Sequence, residues 1–229
     1  MIRQFDRLPD AVRLAEVKPY FDSLRKKTFQ LFLKRAFDIT VAALVLIILS
    51  PVLLIAAVAV KVNSKGPVFF LQERIGRGGK PFKIIKFRTM VTDADKKGIQ
   101  ITVGGRDPRI TSVGYVLRKT SVDELPQMIN ILKGDMSLVG TRPEVKRYVD
   151  EYTPEMMASL LLRPGVTGQS SLKYSCENDM LKDADDPERF YIEKILPDKM
   201  AINLDYTMNF SVGLDLKILC KTAVCVFKR

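Results

Sequence analysis

The chain contains no histidine and only three cysteines among its 229 residues. The absence of histidine excludes a Ser-His-Asp or Cys-His catalytic arrangement and any metal site with a histidine ligand. Proton transfer and metal binding must therefore rely on carboxylates, Lys, Tyr or water. The cysteines Cys176, Cys220 and Cys225 are odd in number and lack zinc-finger spacing. We therefore expect free thiols and a reducing compartment.

Acidic residues are few relative to basic ones, since 26 Asp and Glu stand against 37 Lys and Arg, a formal net charge of +11. A basic chain favours anionic partners, which include nucleic acid, an acidic membrane surface and phosphorylated substrates. Charge alone does not choose among these three classes. The length is enough for one domain with a real core and short extensions.

Long apolar segments are also scarce, and the one strongly hydrophobic run extends from Ile39 to Val60 without a charge. As a straight helix it would reach about 33 Å, enough to span a bilayer. The run starts too deep in the chain to be a cleaved signal peptide, so we expect a retained membrane segment. Ser50-Pro51 lies at its middle, where proline breaks the helical hydrogen-bond ladder.

Cations flank both ends of this run, which by the positive-inside tendency places both flanks on the cytoplasmic side. We therefore predict a helix-break-helix hairpin that enters one leaflet and returns. The Ser50 hydroxyl is a candidate partner for the backbone groups freed at the break. The alternative is a kinked helix that spans the bilayer, which hydropathy alone favours.

The two ends of the chain carry mixed apolar and basic residues. Residues 1–33 predict a basic amphipathic helix, interrupted near Pro19, that lies on a membrane surface or extends as a solvated tail. Residues 214–229 predict a second basic amphipathic helix, and packing on the protein's own core is the favoured alternative to membrane contact.

Between these ends the chain has the character of a soluble domain. Val68 to Leu71 and Phe82 to Phe87 predict two strands joined by a turn at Gly76-Arg77-Gly78-Gly79, which lacks the P-loop pattern. The polar, glycine-bearing residues 92–109 predict a loop at the rim of a site. A helix from about Glu144 to Leu162 is expected to end before Arg163-Pro164.

The most informative stretch runs from Arg118 to Pro143 and contains the adjacent acids Asp123 and Glu124. A short helix is predicted to follow, because Leu125, Met128, Ile129 and Leu132 recur with helical spacing and Gly134 lies at a C-cap position. The acids then cap this helix or form a catalytic pair. Ser121 and Glu124 match a capping box, whereas a start at Asp123 would place Pro126 in the first turn.

Several motifs of this chain resemble those of the bacterial sugar transferases, the monotopic phosphoglycosyl transferases. The matching motifs are Lys34-Arg35-Ala36-Phe37-Asp38, Gly66-Pro67-Val68-Phe69-Phe70, Lys86-Phe87-Arg88-Thr89-Met90, Thr120-Ser121-Val122-Asp123-Glu124-Leu125-Pro126-Gln127, Leu132-Lys133-Gly134-Asp135-Met136-Ser137-Leu138-Val139-Gly140 and Arg163-Pro164-Gly165-Val166-Thr167-Gly168. They follow one another in the family's order from Lys34 to Gly168, which is more than half of the chain. Thr141 stands where the family usually has proline, and Gln169 to Asp179 departs from the family pattern, so the resemblance assigns no substrate contact to that segment.

The resemblance implies an enzyme that moves a sugar 1-phosphate from a UDP-sugar to polyprenyl (undecaprenyl) phosphate and releases UMP, which initiates a surface glycan. It implies that Asp123 is the nucleophile, that Glu124 and Asp123 hold Mg²⁺, and that four cations contact substrate: Lys86, Arg88, Arg118 and Arg142. It also implies a re-entrant helix broken at Ser50 and Pro51, a location in the bacterial inner membrane with the catalytic domain on the cytoplasmic face, and contact with membrane lipids but not nucleic acid. A family break at a Ser-Pro pair favours the hairpin over the spanning helix.

The expected fold is α+β, with an N-terminal extension (1–33), a re-entrant membrane helix (34–62) and a small cytoplasmic α/β catalytic domain (63–229) bearing amphipathic surface helices. The hydrophobic run begins as early as Ile39. Larger members of the family that it resembles carry extra spanning helices before this unit, so we expect the minimal catalytic form. The competing function is a non-catalytic, membrane-anchored basic module that binds anionic lipid or nucleic acid. A CDP-alcohol phosphotransferase is disfavoured because its Asp-Gly-Ala-Arg motif is missing. The sugar transferred and a homodimer formed through either amphipathic end stay open.

Overall fold

The computed structural model describes residues 4–92, 107–175, 177–182 and 184–227. Its helices are α1 (Lys18–Lys26), α2 (Thr28–Ile48), α3 (Ser50–Asn63), α4 (Ser112–Lys119), α5 (Gln127–Lys133), α6 (Lys146–Val149), α7 (Gln169–Lys173), α8 (Glu177–Lys182), α9 (Pro187–Phe190), α10 (Leu196–Asn209) and α11 (Val212–Phe227). Its strands are β1 (Phe69–Ile75), β2 (Pro81–Phe87), β3 (Ser137–Val139) and β4 (Gly165–Thr167). The predicted α+β class is confirmed: β1 and β2 form an antiparallel pair and β3 and β4 a parallel one. Of the predicted rim loop, residues 92–109, positions 93–106 lie outside the described residues.

The hydrophobic run forms two helices with a sharp break. Helix α2 ends at Ile48, Pro51 occupies the first turn of α3, and the axes differ by 64°. The Ser50 hydroxyl donates to the carbonyl oxygen of Ile47 at 2.8 Å, so the partner predicted for the break is found. Within the described ranges no single helix is long and apolar enough to cross a bilayer, whereas this bent pair meets the length and composition requirement. The helix-break-helix shape is confirmed, and its insertion into one leaflet stays a prediction.

Much of the apolar surface of this helical pair is uncovered. Ile47, Ile48, Leu54 and Ile55 at and after the bend are each 67 to 70% exposed. A contiguous apolar surface of this kind is uncommon on a soluble monomer and indicates a partner or a membrane. The other sides of α2 and α3 are held by the rest of the protein.

Two buried charged residues of helix α2 form hydrogen bonds to the core. The Lys34 ammonium donates to Asp215 of α11 at 2.6 Å and to the carbonyl oxygen of Val139 at 2.8 Å. Asp38, one turn further on, accepts from the Leu138 backbone N–H at 3.0 Å and from the Ser137 hydroxyl at 2.8 Å. Both residues come from the Lys-Arg-x-x-Asp motif, and both tie α2 to strand β3. Helix α11 accordingly packs on the protein's own core, as favoured for the C-terminal segment.

The N-terminal segment adopts neither of the two arrangements considered for it. Pro19 lies in the first turn of α1, where its missing N–H costs no hydrogen bond, so it begins the helix and does not interrupt it. Phe21 and Leu24 are each 1% exposed and belong to the main core. The apolar face of α1 is therefore covered by protein, against α10 and the 3₁₀ segment Met156–Leu161.

The second helix of the hairpin packs on the elements that carry the predicted site cations. Ala56 and Val60 of α3 form a buried cluster with Phe87 of β2 and Leu117 of α4. Lys86 precedes Phe87 and Arg118 follows Leu117 in the chain. The hairpin and the predicted site thus share one small apolar core.

The single helix predicted from Glu144 to Leu162 is wrong. Helix α6 ends at Val149, and the chain resumes helical geometry only as the 3₁₀ segment Met156–Leu161. Pro154 keeps the two segments apart, because it disfavours helical geometry at Thr153, although α6 already ends at Val149. The predicted β-hairpin is confirmed, with a first strand that continues to Ile75.

Strands β3 and β4 approach so closely that Gly165 has no room for a side chain. A Cβ there would lie 2.1 Å from the Gly140 backbone nitrogen. We expect Gly165→Ala to destabilise the protein by about 3 kcal/mol, because backbone on both sides must shift. Thermal unfolding in detergent measures this, with Gly213→Ala in α11 as the matched control. A Cβ at Gly213 meets nothing within 4 Å, and alanine favours helix by up to about 1 kcal/mol. Equal melting temperatures for the two variants would contradict the close packing.

Candidate active site

The two predicted catalytic acids lie on a tight turn between two helices. After α4 the chain passes through Ser121, whose φ of 56° is left-handed, and then forms a 3₁₀ turn over Val122–Glu124. Ser121 is the one non-glycine residue with positive φ in the described part of the chain. Such conformations cost energy and occur preferentially at functional sites.

The capping-box prediction is wrong. The Ser121 side chain makes no capping hydrogen bond, and helix α5 begins at Gln127 with Pro126 as its N-cap residue. Pro126 therefore removes no hydrogen bond from the helix. The predicted C-cap is confirmed, because Gly134 has a φ of 95° and its N–H returns to the Asn130 and Ile131 carbonyls.

Glu124 is the centre of an ion-pair cluster. Its Oε1 lies 2.6 Å from the Lys86 Nζ on β2 and 3.6 Å from an Arg142 guanidinium nitrogen. Burial alone would raise the pKa of Glu124, but Arg142 and Lys86 outweigh that effect and lower the pKa to about 2. Glu124 is thus a fixed negative charge at neutral pH, and it orients both cations.

Asp123 has the opposite electrostatic character although it is the adjacent residue. Burial, followed by repulsion from Glu124, raises its pKa from 3.8 to about 6, while Lys86 and Arg118 act in the other direction. Arg118 is held in place by a hydrogen bond from its Nε to the Thr89 hydroxyl at 2.8 Å. The structure therefore brings together Asp123, Glu124, Lys86, Arg118 and Arg142.

Arg88, the remaining residue predicted to contact substrate, lies elsewhere. It is 6% exposed, and its guanidinium donates to the backbone carbonyls of Ser64, Lys65 and Pro67 at 2.7 to 2.9 Å. These bonds fix the connection between α3 and β1. Arg88 thus holds helix α3 to the domain and does not face the acidic pair. The geometry therefore does not support the substrate contact that was predicted for Arg88.

The raised pKa of Asp123 predicts a pH dependence of stability in metal-free buffer. The folded protein retains a proton that the unfolded chain releases between about pH 4 and 6, so stability falls as pH rises through that window. Two pKa units correspond to at most about 3 kcal/mol, and partial exposure of the side chain reduces this to roughly 1–2 kcal/mol. We therefore expect Asp123→Asn to unfold at a higher temperature than wild type above pH 6, with a smaller difference at pH 4.

The matched control is Asp150→Asn, because Asp150 is exposed and pairs with its helix neighbour Lys146. Its melting temperature should follow that of wild type across the whole pH range. Parallel pH profiles for wild type and Asp123→Asn would show that the Asp123 carboxyl does not carry the shift.

A second buried network adjoins Arg142, and sequence reasoning missed it. Glu144 accepts from the Tyr191 hydroxyl at 2.7 Å and lies 3.7 Å from the Lys199 Nζ. Lys199 also donates to Glu177 of α8 at 2.8 Å. The sequence offers a signal for Glu144 alone, as the residue after Arg142-Pro143. Tyr191 and Lys199 come much later in the chain and look like ordinary helix positions.

The acidic pair has the donor chemistry that Mg²⁺ prefers, but it is a partial ligand set. In the described ranges no three acidic or cysteine side chains converge on one point. Mg²⁺ is commonly held by one or two carboxylates together with substrate phosphates. Asp123 and Glu124 therefore fit a magnesium ion that is shared with a diphosphate.

Comparison with known proteins places this geometry in a family. The family model described as bacterial sugar transferase matches residues 29–229. The chain belongs to the bacterial sugar transferase family. This family match includes the hairpin helices, the acidic turn and the Arg142–Glu144 segment.

The names of individual relatives are consistent with this family match. It is 40% identical to UDP-N-acetylgalactosamine-undecaprenyl-phosphate N-acetylgalactosaminephosphotransferase of Aeromonas hydrophila, over 87% of this chain and 45% of that protein. It is 42% identical to UDP-glucose:undecaprenyl-phosphate glucose-1-phosphate transferase of Escherichia coli, over 86% of this chain and 40% of that protein. The chain thus spans less than half the length of these two relatives. It is also 38% identical to exopolysaccharide production protein PSS of Rhizobium leguminosarum, over 87% of this chain and 97% of that protein.

Proposed function

We propose that this protein transfers a sugar 1-phosphate from a UDP-sugar to polyprenyl phosphate, releases UMP and thereby initiates a surface glycan. One observation carries the proposal: a carboxylate with a pKa of about 6, Asp123, lies beside the cations Lys86, Arg118 and Arg142. Arginine and lysine side chains suit the oxygens of a diphosphate. The names of the relatives, which specify sugar phosphate transfer with undecaprenyl phosphate, support the same reaction.

The reaction proceeds in two displacements at phosphorus. A carboxylate oxygen of Asp123 attacks the phosphorus that bears the sugar, the bond from that phosphorus to the bridging oxygen breaks, and UMP leaves with the electron pair. The sugar 1-phosphate is then held on Asp123 as an acyl phosphate. A phosphate oxygen of the polyprenyl phosphate attacks the same phosphorus, the bond to Asp123 breaks, and the free carboxylate is restored.

The other site residues bind and orient charge. Arg142 and Lys86 both lie within ion-pair distance of the Glu124 Oε1, so they are held where phosphate oxygens can reach them. Arg118, steadied by Thr89, faces the nucleophile. Asp123 and Glu124 would hold Mg²⁺ together with the diphosphate, and the ion supplies neutralisation of the negative charge of the substrate when bound.

The hairpin is proposed to sit in the cytoplasmic leaflet of the bacterial inner membrane. Its exposed apolar side chains after the bend provide the surface that lipid would cover. Because α3 packs on β2 and α4, the acidic turn lies next to the membrane-facing part of the molecule. The phosphate of a lipid acceptor can then meet a water-soluble donor, with residues 34–62 in the leaflet and the catalytic domain, residues 63–229, on the cytoplasmic face.

UMP release by the detergent-solubilised protein tests this function, using a panel of UDP-sugars with Mg²⁺, with and without undecaprenyl phosphate. We expect one donor to give at most one equivalent of UMP without acceptor and continuous turnover with it, since the first displacement needs no lipid. The corresponding CDP- and GDP-sugars are the controls. If no UDP-sugar gives UMP, the catalytic proposal fails and binding to anionic vesicles tests the basic-module alternative.

A further inference from the structure

The buried network beside Arg142 takes no part in the chemistry proposed above. Lys199 and Tyr191 are each 3% exposed and Glu144 is 7% exposed. Removing such charges from water costs several kcal/mol each, and a well-packed apolar cluster in their place is often equally or more stable. Stability alone therefore does not account for this network.

The network holds the backbone on which Arg142 is mounted. The backbone N–H of Ile75, at the end of β1, donates to the Glu144 carbonyl at 2.9 Å. Arg74 donates to the Pro143 carbonyl at 3.0 Å and lies 3.8 Å from the Glu144 carboxylate. The charge of Glu144 thus orients Arg74, and Arg74 fixes the carbonyl of Pro143, the residue after Arg142.

Glu144 also acts on Arg142 through space. The pKa of Arg142 is raised chiefly by Glu124, and Glu144 and Glu177 contribute in the same direction although burial opposes them. Lys199 lies 3.7 Å from Glu144 and 2.8 Å from Glu177, so it supplies the cation that both carboxylates need once they leave water. Glu177 begins α8, in the segment that departs from the family pattern.

We propose that Glu144 is a positioning residue for Arg142, paired with Lys199 and fixed by the hydrogen bond from the Tyr191 hydroxyl. The inference deepens the proposed function and rests on it for the identity of the ligand, the diphosphate of a nucleotide sugar. Glu144 does not touch the diphosphate. It sets the place of the guanidinium that does.

A double-mutant cycle on UDP affinity tests this positioning role in the full-length, detergent-solubilised chain. Glu144→Gln keeps the shape and an oxygen that can accept from Tyr191 but removes the charge. We expect it to weaken UDP binding by calorimetry about tenfold, and to raise the donor KM with little change in kcat. In an Arg142→Met background the same change should have no further effect, because the group being positioned is already missing.

If Glu144 had a purely structural role, Glu144→Gln would weaken UDP binding by the same factor in the wild-type and Arg142→Met backgrounds. That result would overturn the inference. Unchanged UDP affinity in folded Glu144→Gln would overturn it as well. If Glu144→Gln does not fold, Tyr191→Phe replaces it in the cycle, with about a threefold effect expected in the wild-type background alone. The readout is binding, so a chain that binds UDP through Arg142 and Glu144 but releases no UMP refutes the proposed function and not the positioning role.

Discussion

Replacing Asp123 with asparagine should reduce UMP release by roughly 1000-fold or more. Asparagine keeps the size of the side chain and an oxygen that accepts hydrogen bonds, but its amide does not attack phosphorus. The ion pairs of Glu124 with Lys86 and Arg142 do not involve Asp123, so the cation cluster should persist. UDP affinity in Mg²⁺-free buffer should therefore stay within a few-fold of wild type.

The proposed intermediate gives this prediction a second readout. Wild type mixed with a donor labelled in the sugar 1-phosphate, without lipid acceptor, should become labelled on the protein, and hydroxylamine should remove the label because acyl phosphates are cleaved by it. Asp123→Asn should not become labelled, whereas Asp150→Asn, the same change at an exposed position, should behave as wild type. Labelling of Asp123→Asn at the wild-type rate would assign the nucleophile to another residue.

Local patterns predicted those parts of the structure that depend on neighbours in the chain. The helical spacing of Leu125, Met128 and Leu132 with Gly134 as cap predicted α5, and Ser50-Pro51 predicted the break between helices α2 and α3. In both cases the deciding physics is local, since it involves a helical face or a missing backbone N–H. The adjacency of Asp123 and Glu124 in the chain left a capping role and a catalytic pair both open, and the resemblance to the family favoured the catalytic pair.

The electrostatic roles within that pair could not be predicted, because they depend on tertiary contacts. Glu124 is made a permanent anion by Lys86, which lies on strand β2, and by Arg142, which lies beyond helix α5 and strand β3. No pattern in the sequence indicates that Asp123, its neighbour, has a pKa of about 6 instead. The left-handed turn at Ser121 gave no signal either, since serine has none of the conformational preference for positive φ that marks glycine.

The role of Arg88 shows the limit of assigning residues by motif. Lys86 and Arg88 belong to one motif and alternate with Phe87 along β2, so strand geometry alone places both on the same face. The structure instead separates their contacts: Lys86 meets Glu124, whereas Arg88, just beyond the end of the strand, turns back to the carbonyls that follow α3. A cation in a shared motif can thus stabilise the scaffold while its neighbour serves the site.

Lys86→Met should reduce turnover by about 100-fold and lower the free energy of unfolding by roughly 2 kcal/mol. In the proposed reaction Lys86 is a preorganised cation at the site where charge develops on phosphate, and removal of one such group typically costs two to three orders of magnitude in rate. Glu124 would keep only Arg142, at 3.6 Å, as a partner for its partly buried charge. Kinetic assays with the identified donor and chemical unfolding measure the two effects.

Lys83→Met is the matched control for Lys86→Met. Lys83 lies on the same strand but is exposed, and the odd spacing places its side chain on the opposite face from Lys86. Its replacement should leave turnover within about twofold and stability within about 0.5 kcal/mol of wild type. Equal effects of the two changes would mean that overall positive charge, and not the Lys86–Glu124 pair, matters.

The Lys86–Glu124 ion pair also predicts how the stability of Lys86→Met should depend on pH. In wild type the lowered pKa of Glu124 contributes stability that is present above pH 4.5 and is lost as pH falls toward 2. Without Lys86 the pKa of Glu124 should rise, so the contribution shrinks and the Lys86→Met deficit should be largest at neutral pH and smallest near pH 3.

Adding Glu124→Gln to Lys86→Met removes the uncompensated charge and should recover most of the stability without the activity. Recovery of activity in that double variant would show that Lys86 serves only to neutralise Glu124 and does not act on the substrate.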